Sequence, residues 1–206
     1  YDRGFDGCAA FRDEPATRYG RYMTAHPTVR AWRDLAASPV RRLAASLAGE
    51  ADDRPFTDTA HTLAVERRAT DFVETMAATD TPFFLWVHYM DAHTPYVPAL
   101  RYLRETTDVR LNAARMLWAH LRTGLGRGVG DRTLATLRSL YRAAVRQADD
   151  SLGRLLDGLE TAGVRDETVV AVAGDHGEEV MEHGHPAHHP KLQRGLADVP
   201  PVVDAP

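Results

Sequence analysis

The stretch Thr168-Val169-Val170-Ala171-Val172-Ala173-Gly174-Asp175-His176-Gly177-Glu178-Glu179 carries the first decision about this chain. Its opening half is a short β-branched run, which reads as a buried strand. Its second half is polar and opens on Gly174, so the strand is expected to end there. Asp and neutral His are both ligands for divalent cations. Neighbouring side chains diverge along a regular strand and converge on one ion only where the backbone has left the sheet, as the flanking glycines permit. Two readings therefore stand at this point. The loop is a cation-binding turn built on Asp175 and His176, or it is a polar strand-to-helix turn in which Glu178 and Glu179 begin a helix.

Upstream of this run, Asp131 is expected to cap a long helix. Its apolar stripe is Leu134, Leu137, Tyr141, Val145, Ala148, Leu152, Leu155, Leu156 and Leu159. Gly163 supplies the stop. Helix, short turn, apolar strand and polar loop form the grammar of an α/β sheet. In such sheets the chemistry sits in loops beyond the carboxyl ends of the strands.

A second stretch fits the same grammar. Phe83-Phe84-Leu85-Trp86-Val87-His88-Tyr89-Met90 reads as another buried strand, and the Pro-containing loop 91–98 follows it. A helix capped by Thr57-Asp58-Thr59 and ending near Ala78 precedes it, with Leu63, Phe72, Val73 and Met76 at helical spacing. Further helical patterns cover Val29 to about Ala37 and residues 99–125. In the loop, His93 stands between Asp91 and Pro95. An imidazole there binds an oxyanion or protonates a leaving group; the alternative is a surface His in a Pro-rich turn.

His183, His185, His188, His189 and Lys191 fall within nine residues near the C-terminus. A zinc site and a solvated basic lid both fit this composition. Of the 25 basic residues, only Lys191 is lysine. Either the coding bias favours Arg and Lys191 is incidental, or that position needs a compact ammonium.

Composition sets the outer bounds. The 206 residues suit one domain, and the net charge of −4 offers no basic field for nucleic acid. No apolar run reaches the length of a membrane span. Cys8 is the single cysteine, so no intrachain disulfide forms, which is compatible with a cytoplasmic setting. The chain starts at Tyr1 rather than Met, and it is expected to lack its own N-terminus.

Taken in order, the motifs resemble the sulfatase family of the alkaline phosphatase superfamily. Gly4-Phe5-Asp6 comes first, then the apolar run ending in Asp91-Ala92-His93-Thr94-Pro95-Tyr96. Tyr141, Val145, Asp149, Gly153, Leu155 and Leu156 follow, then Gly174-Asp175-His176-Gly177-Glu178. Glu182-His183-Gly184 and a Val199-Pro200 step before Val202 and Val203 complete the series.

The resemblance implies an α/β fold, an alkaline-phosphatase-like sandwich of helices around a mixed, mainly parallel sheet. Residues 1–206 would be the central part of one catalytic domain, truncated at both ends. It implies a metal-dependent hydrolase of small-molecule or saccharide sulfate esters. A divalent cation, commonly calcium, would be gripped in part by Asp175 and His176. His93 would meet the sulfate or the leaving oxygen, with Lys191 as a second contact. The oligomeric state is left open.

The sequence departs from the family pattern in places. The family's nucleophile lies in a Cys/Ser-x-Pro-x-Arg motif upstream of Gly-Phe-Asp, and Cys8-Ala9-Ala10-Phe11-Arg12 does not match it. Gln193 and Gly195 stand where relatives often carry Tyr and Glu. This chain alone is therefore expected to be inactive. Phosphate- or phosphonate-ester hydrolysis, phosphoryl transfer, and a non-catalytic metal- or partner-binding remnant are the competing functions.

Overall fold

A computed structural model describes residues 6–7, 62–79, 81–94, 96–107, 118, 130–180 and 194–206. The elements in chain order are α1 (Thr62–Ala77), α2 (Leu100–Thr106), α3 (Asp131–Thr161), a 3₁₀ turn (Arg165–Glu167), β1 (Val170–Val172), α4 (Arg194–Ala197) and β2 (Val202–Asp204). The expected helix over 29–37, the Thr57-Asp58-Thr59 cap, Cys8, the His183–His189 cluster and Lys191 lie outside the described residues.

The 31-residue helix α3 organises everything else. It begins after Gly130, which takes the N-cap position with no side-chain cap; the expected capping residue, Asp131, sits instead in the first turn. There its carboxylate still complements the helix dipole. Gly163 ends the helix at φ +74°, a conformation that favours glycine. Its N–H donates to the Glu160 carbonyl at 3.0 Å, and the Val164 N–H donates to the Leu159 carbonyl at 3.1 Å. Those two bonds define a Schellman stop, and Val164 packs in the same apolar cluster as Leu159.

The buried face of α3 is rotated from the expected stripe. Val145 is 42% exposed, while Leu140, Ala143, Ala144, Gln147 and Ser151 are buried. Small and polar residues occupy the centre of the contact face because α2 approaches there. Tyr102 and Leu103 of α2 meet Leu140, Ala143 and Ala144, together with Tyr96 and Ala99. Further along, Leu155 and Leu159 pack against Ala69 and Val73 of α1. A polar tie crosses the three helices: Arg154 bonds Glu66 of α1 at 2.7 Å and also Asp150, which accepts the Tyr102 hydroxyl at 2.5 Å.

Residues 83–90 lie in no β-ladder among the described residues, which corrects the expected strand. The segment alternates. Phe83, Leu85 and Val87 turn onto the cluster between α1 and α3, whereas Phe84 and Trp86 are 69% and 71% exposed. A run this apolar suits a strand covered on both faces. Among the described residues only the helical side covers it.

β1 was likewise expected to be buried and part of a mainly parallel sheet. It pairs antiparallel with β2, Ala171 opposite Val203, and this is the sheet found among the described residues. Val169, Val172, Val202 and Val203 are exposed. Arg165 closes the corner with an ion pair to Asp204. Among the described residues, no helix is long and apolar enough to cross a membrane.

Candidate functional site

Both loops singled out in the sequence rest on α3. Loop 91–98 follows residues 83–90 and leads to α2. Asp91, at its start, is a buried carboxylate, 4% exposed. The Thr62 hydroxyl at the start of α1 donates to it at 2.7 Å, and Gln147 Nε2 of α3 donates at 2.6 Å. The same Gln147 accepts the Ala99 N–H through Oε1 at 2.8 Å, so one amide side chain holds both ends of the loop. A buried carboxylate is tolerated when its lone pairs are met in this way.

Between these anchors stands His93. Its backbone N–H donates to the Met90 carbonyl at 3.1 Å, and its Nδ1 lies 2.7 Å from the Thr94 carbonyl. A carbonyl only accepts, so Nδ1 carries the proton, and in the neutral ring the lone pair is on Nε2. That tautomer can accept a proton at Nε2 or, once protonated, deliver one there.

The second loop follows β1. Asp175 and His176 are exposed at its tip. Asp175 Oδ1 accepts the His176 N–H at 3.0 Å, and its Oδ2 lies 3.8 Å from His176 Nε2. His176 Nδ1 is 2.8 Å from the Gly177 carbonyl, which again places the ring proton on Nδ1. A carboxylate oxygen and an imidazole lone pair thus stand side by side. A backbone carbonyl on the other ring nitrogen is the usual companion of a metal-ligating His. The pair fits as part of a cation's ligand set. Among the described residues no group of three or more His, Cys, Asp or Glu is gathered around one point.

After the tip the chain does not turn into a helix at Glu178. Residues 178–180 run into the protein, with Glu179 and Val180 buried. Val180 packs on Leu137 of α3, with Leu134 and Tyr141 alongside. Gly177 seals the other side, its N–H donating to the Leu196 carbonyl of α4 at 2.8 Å.

The two loops touch. The Tyr96 hydroxyl donates to Glu178 Oε1 at 2.9 Å, across 82 residues of sequence. Tyr141 underlies both: its ring meets Tyr96 edge-on at 5.4 Å and also borders the Val180 cluster. The loop bearing His93 is therefore bonded to the loop bearing Asp175 and His176. Lys191 and the His183–His189 cluster lie outside the described residues, so neither is placed relative to these loops.

The sequence reading missed Asp91, Gln147 and the Tyr96–Glu178 bond as parts of the arrangement. Gln147 left no distinguishing signal, since α3 carries many polar residues and Gln147 lies off the expected apolar stripe.

A helix-rich frame with a small antiparallel strand pair, its candidate chemistry in two loops joined by a hydrogen bond, is thus what the structure presents. The sulfatase family model matches residues 10–204. The chain belongs to the sulfatase family, within the alkaline phosphatase superfamily. It is also similar to the uncharacterized sulfatase YidJ of Escherichia coli (strain K12), 28% identical over 155 residues. That likeness covers 69% of this chain and 30% of the relative, so the chain spans under a third of that protein's length.

Proposed function

We infer that this chain supplies the central part of the catalytic domain of a sulfate-ester hydrolase, with His93, Asp175 and His176 in one site. The observation that carries the reading is the Tyr96–Glu178 hydrogen bond, which unites the two loops in a chain that matches the sulfatase family over most of its length. Asp175 and His176 would hold a divalent cation, calcium being the common ion of the family, together with oxygen ligands from other parts of the polypeptide. When bound, such an ion neutralises charge on a tetrahedral oxyanion.

The chain's own groups have separable tasks. His93, its proton held on Nδ1 by the Thr94 carbonyl, offers Nε2 to the ester's sulfate or leaving oxygen. Lys191 is proposed as a second cationic contact to the sulfate. The nucleophile is assigned to a Cys/Ser-x-Pro-x-Arg segment, a motif these 206 residues do not contain. The mainly parallel sheet of the family would be completed on the exposed side of Phe84 and Trp86.

The test is a parallel assay of this chain and of a polypeptide carrying the nucleophile motif upstream of it. Substrates are 4-nitrophenyl sulfate, 4-nitrophenyl phosphate and a phosphonate monoester, with calcium, manganese or chelator. Sulfate hydrolysis by the longer polypeptide, abolished by chelator and cut about 100-fold or more by His93→Ala, supports the reading. Turnover of phosphate or phosphonate alone assigns the chain to the phosphoryl branch. No turnover and no cation binding would identify a non-catalytic remnant.

A further inference from the structure

Glu178 lies three residues beyond Asp175, in a loop read as cation-binding, and a carboxylate there invites assignment as another ligand. Its geometry shows one of its oxygens already engaged elsewhere. Oε1 of Glu178 accepts the Tyr96 hydroxyl at 2.9 Å. Both ends of this bond are held firmly. The Tyr96 side belongs to the buried cluster of Ala99, Tyr102 and Leu140, and its ring stands edge-on to Tyr141. On the other side, Glu179 and Val180 are buried directly after Glu178, with Val180 against Leu137. Each loop also has its own anchor: Asp91 on Thr62 and Gln147 for the first, Gly177 on Leu196 for the second. Among the described side chains, the Tyr96–Glu178 bond is the direct polar link from one loop to the other.

We propose that Tyr96 and Glu178 are positioning residues whose hydrogen bond sets His93 against Asp175 and His176, and that Glu178 is not itself a cation ligand. This rests on the reading of those three residues as one site. The required precision is steep. A misplacement of about 1 Å between reacting groups can cost on the order of 100-fold in rate. Outer partners of metal-site residues typically contribute about 10- to 100-fold.

The test uses the polypeptide that carries the nucleophile motif, in Tyr96→Phe, Glu178→Ala and Glu178→Gln forms. The amide oxygen of Gln still accepts the tyrosine hydroxyl, whereas its neutral side chain is a poor cation ligand. Three quantities are read: kcat and KM on 4-nitrophenyl sulfate, calcium and manganese affinity by calorimetry, and the ring-nitrogen NMR signals of His93 and His176. Tyr96→Phe and Glu178→Ala should lower kcat about tenfold or more, with KM changed less than about twofold. Both should move the ring signals of both histidines. Glu178→Gln should stay near wild type in all three. The double variant Tyr96→Phe/Glu178→Ala should be no worse than Glu178→Ala, as expected for one shared interaction.

Loss of cation affinity in Glu178→Gln equal to that in Glu178→Ala would make Glu178 a ligand and overturn the proposal. So would a Tyr96→Phe protein with unchanged kcat. If the wild-type polypeptide turns over no sulfate ester, the functional reading fails separately. The ring signals then decide the positioning question by themselves: movement of both histidines in Tyr96→Phe supports it, and movement of one or neither overturns it.

Discussion

Gly177 sits so close to Gly195 that a β-carbon on Gly177 would fall inside the contact distance of the Gly195 carbonyl oxygen. The obstacle is backbone on α4, which cannot swing aside as a flexible side chain would. Gly177→Ala should therefore displace α4 or the Asp175–His176 tip. A destabilisation of about 1 to 3 kcal/mol is expected from overpacking, measured by urea unfolding. Gly195→Ala, whose β-carbon meets nothing within 4 Å, is the matched control.

Asp91 is the hub of the other loop. Asp91→Ala would leave the Thr62 hydroxyl and Gln147 Nε2 without their buried acceptor. A loss of about 3 kcal/mol is expected, since buried donors stripped of a charged partner lose both the bond and its compensation. Gln147→Ala, which orphans the Ala99 N–H as well, should cost about as much. Equal stability of Asp91→Ala and wild type in chemical denaturation would remove the hub from the account.

Tyr89 supplies the opposite case. Its hydroxyl is buried with no hydrogen-bond partner among the described residues. Burial, and then the Glu66 and Asp91 carboxylates, push its pKa up to about 12. Tyr89→Phe removes the unsatisfied oxygen and keeps the ring. It should be neutral or stabilising by up to about 1 kcal/mol. A clear loss of stability would show that the hydroxyl does find a partner in solution.

Acid should loosen the helical frame through Asp150. The Tyr102 hydroxyl, and then Arg154 and Arg146, hold its carboxyl below the usual value of 3.8 against the opposing effect of burial. A depressed folded pKa favours the native state above the unfolded pKa. That contribution is lost as pH falls through the lower folded value. Asp150→Asn should thus be less stable than wild type at pH 6, and the gap should close as the pH drops below 3.8. A gap that does not change between pH 6 and pH 3 would contradict the assignment. The side chain is about one-third exposed, so solvent screening keeps the effect modest.

The sequence carried the first and the longest of the described helices, for identifiable reasons, whereas the helical pattern expected over residues 99–125 is broken after Thr106, where Thr107 is extended. Helix α3 has a strong period and a glycine stop, and its predicted end at Gly163 matches the observed Schellman turn. The end of α1 near Ala78 follows from the polar turn after it. Strands were harder. Apolar content alone does not say whether one face or two will be covered, so Phe83–Met90 and Val170–Val172 were both read as buried when each has an exposed face. The pairing of β1 with β2 depends on a contact between remote segments, which no local pattern encodes. At the candidate site, Asp175 and His176 were visible as residue types beside glycines. Their orientation by the Gly177 carbonyl, and the Tyr96–Glu178 contact, arise only when the chain is folded.

One helix carries the seats of both loops, and this makes their spacing a matter of counting. Val180 is seated at Leu137, Tyr96 at Tyr141, and Asp91 at Gln147. From Leu137 to Gln147 the helix rises about 15 Å, and each residue turns it by about 100°. Substitutions along this span act locally, but a single inserted or deleted residue between Tyr141 and Gln147 would swing Gln147 away from Asp91 while the Val180 seat stayed put. In descendants of this chain, α3 can change its letters more freely than its number of letters.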